Sequence, residues 1–403
     1  MTDRCVVASL AAMYAFFPLY GTFSVFAPHP PTVPLVPRAA AIAIGAILLL
    51  AMIGAAIGAA RRRRGRPVLR IWLWANVGAT YLGALLGFDP AVGIGLATVI
   101  AGMAGAHFAL LAYYPDRGTA RTIYLALLIS GLAASLLAIA LVALKRPADL
   151  YAYNHGRAVG TFLNPNELAE YLLAYLSAAA GLAMVRRGSP LGRFAAVCTV
   201  VGGIALGLTF SRWGLVCAGL GIAAYAVALR PRRGLWLAGG ALAALLALNV
   251  ALAAAHHEPQ DTGSRDVAWR AGLATWLHFP LTGVGPLAFE RLYPVMRAPD
   301  APGANTPIAF DPHDLPLSIL AETGVVGLTA FLITLGAFFS LLPRLVAGAS
   351  AERRTLAFAL YAGLVAVVAH MLLNSASIAF GLFLQFSALA LAAALWGYDA
   401  HAA

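Results

Sequence analysis

His313 stands between two carboxylates in Phe310-Asp311-Pro312-His313-Asp314-Leu315-Pro316. Flanking acids orient an imidazole, and an oriented imidazole that accepts a proton near neutral pH is what a general base requires. Arg212, in Ser211-Arg212-Trp213-Gly214, is the one strongly polar side chain in an otherwise apolar stretch from 194 to 229. A guanidinium held that close to hydrocarbon costs about 2 to 3 kcal/mol unless an anion meets it. Glu167 and Glu322 are the carboxylates that could do so, and a phosphate, which arginine grips with two prongs, is the functional alternative. Arg265 follows Ser264, a residue suited to cap a helix. The dipole of such a helix disfavours a cation there, whereas its free N–H groups together with a guanidinium make an anion site; Asp266 is the local alternative partner. Arg157 opens the run that ends Asn164-Pro165-Asn166-Glu167. The end of that run reads as helix cap, first-turn proline and capping-box acid, which leaves Arg157 as its residue with chemistry to offer.

These residues need a scaffold, and composition indicates which kind. Of 403 residues 61% are hydrophobic and only 11% charged, whereas soluble proteins carry about a quarter charged residues. The apolar material falls in stretches long enough to cross a bilayer, about 20 residues each. The predicted fold is therefore all-α, a polytopic membrane protein forming one integral domain over 1–403. Spans are expected near 5–27, 38–60, 68–88, 90–114, 121–144, 166–185, 193–210, 213–229, 234–255, 316–342, 355–373 and 380–397. The stretch 194–229 would be about 54 Å long as one helix, nearly twice the hydrocarbon thickness. It must fold back, and Ser211-Arg212 is its only strongly polar point. The apolar run after Arg4 resembles a signal peptide but is too long and lacks a clear cleavage site, so it is expected to remain as the first span.

The net charge of +11 would suggest nucleic acid in a soluble protein. Here arginines cluster between apolar runs: 61–64 with Arg66 and Arg70; Arg117 and Arg121; Arg186, Arg187 and Arg193; Arg230, Arg232 and Arg233; and Arg344, Arg353 and Arg354. This is the positive-inside pattern, and it places both termini in the cytoplasm with all five clusters after even-numbered helices. Nucleic-acid binding is not expected. Cys5, Cys198 and Cys217 form no CxxC or His/Cys grouping, so neither a metal site nor a disulfide is expected.

On the outer side remain Arg38, Lys145, Arg146, Arg157, Arg212, Arg265, Arg270, Arg291 and Arg297, against the topological bias. Some of these snorkel to lipid headgroups. One outer connection, 256–316 between helices 9 and 10, is about 60 residues long, and loops of that size in a compact protein are usually functional. It contains a predicted interfacial helix from Ser264 to His278, with Val267, Ala271 and Ala274 on one stripe and Trp269, Leu273, Trp276 and Leu277 beside it. Gly283, Gly285, Pro286, Pro294, Pro299, Pro302 and Pro307 are expected to break up the rest.

The order Gly156-Arg157 to Asn166, Ser211-Arg212-Trp213-Gly214, Arg265 with Trp269, Pro280-Leu281-Thr282-Gly283-Val284-Gly285, and His313-Asp314 followed by Leu320 to Leu328 resembles the O-antigen ligase and polymerase superfamily. The large outer loop before a histidine-containing re-entry fits its ligase branch. Asp314 departs from the pattern, since the family usually has asparagine after the histidine. The resemblance implies a glycosyltransferase of the bacterial inner membrane, working at the periplasmic face. It would move a glycan from undecaprenyl pyrophosphate to a lipid A-core hydroxyl, without metal or other cofactor. His313, Arg212 and Arg265 would be catalytic, and Arg157, Arg291 and Asp314 would bind substrate. An O-antigen polymerase or a protein O-oligosaccharyltransferase would differ only in acceptor. A lipid or sugar transporter would place arginines along a pathway, but neither pseudosymmetric halves nor paired broken helices are visible.

Overall fold

The computed structural model describes residues 3–18, 49–55, 57–58, 69–116, 118–162, 164–229, 240, 243, 247, 262–297, 311–374 and 379–398. Among them the regular structure is helical: α1 (Asp3–Phe16), α2 (Arg70–Leu86), α3 (Pro90–Tyr113), α4 (Thr119–Leu144), α5 (Ala148–Tyr153), α6 (Pro165–Val185), α7 (Pro190–Leu208), α8 (Arg212–Leu229), α9 (Thr262–His278), α10 (Phe289–Met296), α11 (Leu315–Val346), α12 (Ala351–Met371) and α13 (Ala379–Trp396). Seven of these, α3, α4, α6, α7, α8, α11 and α12, are long and apolar enough to cross a membrane, so the chain is a multi-pass membrane protein. Most of the expected spans 234–255 and 38–60 and the end of 5–27 lie outside the described residues, as do 256–261 and 298–310 of the long connection, the arginines of 61–66, Arg117, and Arg230 to Arg233. The fold-back that length demanded falls at Ser211-Arg212, with α7 ending at Leu208 and α8 opening on Arg212.

The most enclosed spans are α6 and α12. Small residues let them approach: a Cβ on Gly181 would meet Ala359, and one on Gly363 would meet Ser177. Without a hydrophobic drive between helices in lipid, this close van der Waals contact is what holds spans together. The neighbours α8, α13 and α7 pack around this pair.

One span is not a simple helix. Within α11, Gly324 takes φ 65° and ψ −167°, outside helical geometry. An unbroken helix would pair the N–H of Val325 and Val326 with the carbonyls of Ala321 and Glu322. Instead Val284 N donates to Ala321 O (3.0 Å) and Gly285 N to Glu322 O (2.9 Å). Val325 N and Val326 N donate to Pro280 O (2.9 Å) and Leu281 O (3.3 Å). The segment 280–285 is thus inserted into the hydrogen-bond ladder of the helix, and four bonds to the loop replace two within it. Phe88 N, just past α2, donates to Val284 O (2.9 Å) and ties the same segment to a third element.

Beside this insertion, Val267, Ala268 and Ala271 of α9, Phe289 and Tyr293 of α10 and Ala321 of α11 form a small apolar core of their own. The opposite side of α9 exposes Trp269, Leu273 and Leu277, as its periodicity predicted. The expectation that Pro294 breaks the chain is corrected, since α10 runs through it. The reason is tertiary: Glu322 accepts hydrogen bonds from the N–H groups of Leu287 and Phe289 at the start of α10, and Phe289 and Tyr293 are fully buried.

A Cβ on Gly324 would run into the backbone of Leu281, and one on Gly283, at φ 66°, into that of Glu322. Gly324→Ala and Gly283→Ala are each expected to destabilise the detergent-solubilised protein by about 2 kcal/mol or more. A drop in thermal midpoint of several degrees for both, against no change for Gly203→Ala, whose Cβ would meet open space, is the expected readout.

Candidate functional site

The turn between α7 and α8 shows how Ser211-Arg212-Trp213-Gly214 works locally. Ser211 Oγ accepts from Gly214 N (3.2 Å) and so caps α8, with Arg212 as its first residue. Trp213 Nε1 donates to Ala369 O (3.1 Å) and pins the helix start to α12. Ser211 Oγ also donates to Asn166 Oδ1 (2.9 Å). That oxygen accepts a second bond from Arg157 Nη2 (3.2 Å), while Arg157 Nε donates to Thr209 O (2.8 Å) in the same turn. Asn164 caps α6 as expected, accepting from the N–H groups of Asn166 and Glu167 (2.9 Å each). Asn166, read from sequence only as part of that cap, is the residue that gathers Arg157 and Ser211 next to Arg212.

Arg265 approaches from the other side. Its Nη1 donates to Leu373 O (3.4 Å) in the turn after α12. Burial, and then the positive charge of Arg212 nearby, lower the pKa of Arg265. Asp266 does not serve it as an ion-pair partner, because Asp266 pairs with Arg270 one turn along (3.0 Å). Two guanidiniums, each near the start of a helix, are therefore brought into each other's field. An anion between them would reverse both the repulsion and the desolvation.

His313 sits in the turn that leads into α11, with φ 56°, a left-handed conformation that histidine, like asparagine and aspartate, adopts more readily than most non-glycine residues. The α9 backbone crosses this turn: a Cβ on Gly272 would be 3.0 Å from Pro312 Cγ and 3.1 Å from Leu317 Cγ. Arg265 lies seven residues earlier on α9, about 10 Å along its axis. The imidazole is 38% exposed, and its Nδ1 is 3.6 Å from Asp311 Oδ1. Asp311 also accepts the His313 backbone N–H (2.6 Å). Electrostatic reach from Asp311 extends to Glu170 on α6 and to Glu322 on α11. Buried Glu170 in turn lies 3.9 Å from His370 Nδ1 on α12, the helix whose end carries Leu373.

The two remaining expected residues have partners of their own. Asp314 caps α11, accepting from Leu317 N (2.8 Å). Burial pushes its carboxyl up, against the pull of the Leu317 N–H. Asparagine caps a helix as well as aspartate does, which gives a physical reason why the departure at Asp314 preserves the turn. Arg291, 65% exposed, is bound to Asp89 (2.5 Å), the residue that caps α3. Among the described residues no bond ties Arg291 to Arg212, Arg265 or His313.

The starts of α8 and α9 thus bring Arg212 and Arg265 into each other's field, and α9 also crosses the turn that carries the partly exposed His313 imidazole. The O-antigen ligase family model matches residues 196–332. That range contains Arg212, Arg265, the 280–285 segment, His313 and Gly324, and leaves Arg157 outside. No curated protein matches the chain.

Asp314→Asn keeps the cap and removes a carboxylate whose ionisation burial opposes, so its thermal midpoint at pH 7 should equal or exceed that of wild type. Asp314→Ala removes the cap and should cost about 1 kcal/mol. A lower midpoint for the asparagine variant would mean that the charge itself, rather than the cap, holds the turn.

Proposed function

We propose, from the match of the O-antigen ligase family model to residues 196–332, that the chain is an O-antigen ligase, an inverting glycosyltransferase of the bacterial inner membrane. Its donor is a glycan on undecaprenyl pyrophosphate, its acceptor a hydroxyl of lipid A-core, and its site faces the periplasm. The observation that carries this reading is the proximity of Arg212 and Arg265 at two helix starts, on the helix that also crosses the His313 turn.

In this reading Arg212 and Arg265 bind the pyrophosphate and take up the negative charge that grows on it as the glycosidic bond breaks. That is the task a metal ion performs in other transferases. His313 Nε2 accepts the proton of the acceptor hydroxyl as its oxygen attacks the anomeric carbon, and undecaprenyl pyrophosphate leaves from the opposite face. Arg157, fixed by Thr209 and Asn166, backs Arg212 and extends the phosphate-binding edge. Arg291 is assigned to the acceptor's phosphorylated core, where a phosphate would displace Asp89 from its guanidinium. Asp314 contributes by capping the helix that begins beside His313. The preference for a ligase over a polymerase rests on the resemblance of the large outer loop and its histidine-containing re-entry to the ligase branch.

The test is glycan transfer in liposomes from undecaprenyl-pyrophosphate glycan to purified lipid A-core, with a chelator present. Wild type should transfer, and His313→Ala should lose about 10²-fold or more in rate with donor affinity kept. Arg212→Ala and Arg265→Ala should each weaken donor binding about 10-fold or more, as expected for a charged hydrogen bond worth about 1.5 to 3 kcal/mol. Elongation of the donor with lipid A-core ignored would make the protein a polymerase, and activity abolished by the chelator would remove the metal-free mechanism.

A further inference from the structure

Of the two acids that flank His313, the structure separates the roles. The Asp314 side chain is engaged at the start of α11, where it accepts the Leu317 N–H. Asp311 faces the imidazole, with Oδ1 3.6 Å from Nδ1, and is itself only 14% exposed. The same oxygen accepts the His313 backbone N–H at 2.6 Å. This closes an Asx-turn across Pro312 and holds the histidine in its left-handed backbone conformation.

We propose that Asp311 is the positioning residue of the proposed transfer reaction: its carboxylate holds the His313 proton on Nδ1, leaving Nε2 as the bare acceptor for the hydroxyl proton. This rests on the glycosyl-transfer reading of the site. Which imidazole nitrogen carries the proton is set by the bond the other part of the ring makes, and here the group on the Nδ1 side is an acceptor that has no proton to give. The 3.6 Å separation is longer than a hydrogen bond. Such contacts commonly tighten only when substrate is in place, and the gap closes with a small rotation of either side chain. In the step itself the acceptor O–H bond breaks and its proton goes to Nε2. The oxygen forms the new bond to the anomeric carbon, and the electron pair of the old bond leaves with the pyrophosphate. His313 becomes an imidazolium whose Nδ1–H points at Asp311, so the carboxylate favours the transition state over the ground state. Asp311 also acts electrostatically on Asp314 in its own turn, on Glu170 from α6 and on Glu322 from α11.

Asp311→Asn distinguishes this role from a purely local one. Asparagine keeps the Asx-turn through its own Oδ1, the oxygen that also faces Nδ1, so it keeps a neutral acceptor there and loses only the charge, whereas Asp311→Ala loses both. The first measurement is 15N NMR of histidine-labelled full-length protein in detergent, with the His313 signals identified by their loss in His313→Gln. Wild type and Asp311→Asn should show the Nδ1–H tautomer and Asp311→Ala should shift toward Nε2–H; an Nε2–H wild type, or an unchanged ring in Asp311→Ala, overturns the proposal. The second is the transfer assay, where Asp311→Asn should lower kcat about 10²-fold while the KM for donor stays within threefold. Asp311→Glu should recover part of the loss. Wild-type kcat in Asp311→Asn, or a loss that appears in donor KM instead, also overturns it. If wild type transfers no glycan to any acceptor, the functional reading falls, while the tautomer measurement still decides whether Asp311 orients the ring.

Discussion

Inside a membrane span, a backbone N–H or carbonyl without a partner costs several kcal/mol, because no water is at hand to replace the lost bond. A helix can therefore be opened there only if something else takes over its hydrogen bonds. In this protein the segment 280–285 does so at Gly324 of α11, and every group freed by the break at Ala321, Glu322, Val325 and Val326 finds a partner on the inserted loop. The bonds work both ways. They let the helix break, and they fix the loop to the helix whose first turn adjoins His313.

Much of the site depends on that lock. Glu322, next to the break, receives the N–H groups of Leu287 and Phe289 and so sets the start of α10. The small core shared by α9, α10 and Ala321 then sets α9. Once α9 lies across Pro312 and Leu317, the place of Arg265 follows from helix geometry, and it meets Arg212 arriving on α8. The start of α8 is fixed separately by Ser211, Trp213 and Asn166. Two independently anchored helix starts thus present like charges to one another.

Spans were legible because a bilayer imposes a length and a composition that any apolar run either meets or fails. The helices described as 90–113, 119–144, 165–185 and 212–229 lie within three residues of the expected ends. Length required a fold-back, and the polar Ser211-Arg212 pair fixed where it falls. The cap at Asn164 and the exposed face of α9 follow from local side-chain chemistry and periodicity, whereas the cap at Asp89 was not read from the sequence. The helix through Pro294 did not show, since the bonds that stabilise it come from Glu322, distant in sequence. Asn166 was legible as a helix-start residue, but its second task of holding Arg157 and Ser211 depends on how α6 packs against the turn after α7.

What the sequence by itself determined is the set of groups and the scaffold class: an all-helical membrane protein, with arginines and a histidine placed against the apolar bias. These are local and compositional properties, written within each segment. What only the tertiary structure decided is which groups meet. The choice of Asp311 over Asp314 as the acid facing His313, the pairing of Asp266 with Arg270 rather than with Arg265, and the approach of Arg265 to Arg212 all depend on side-chain directions and on contacts between distant segments. Spacing along a chain cannot specify these, because a flanking acid can turn either toward the ring or toward the helix it precedes, and backbone hydrogen bonding settles which.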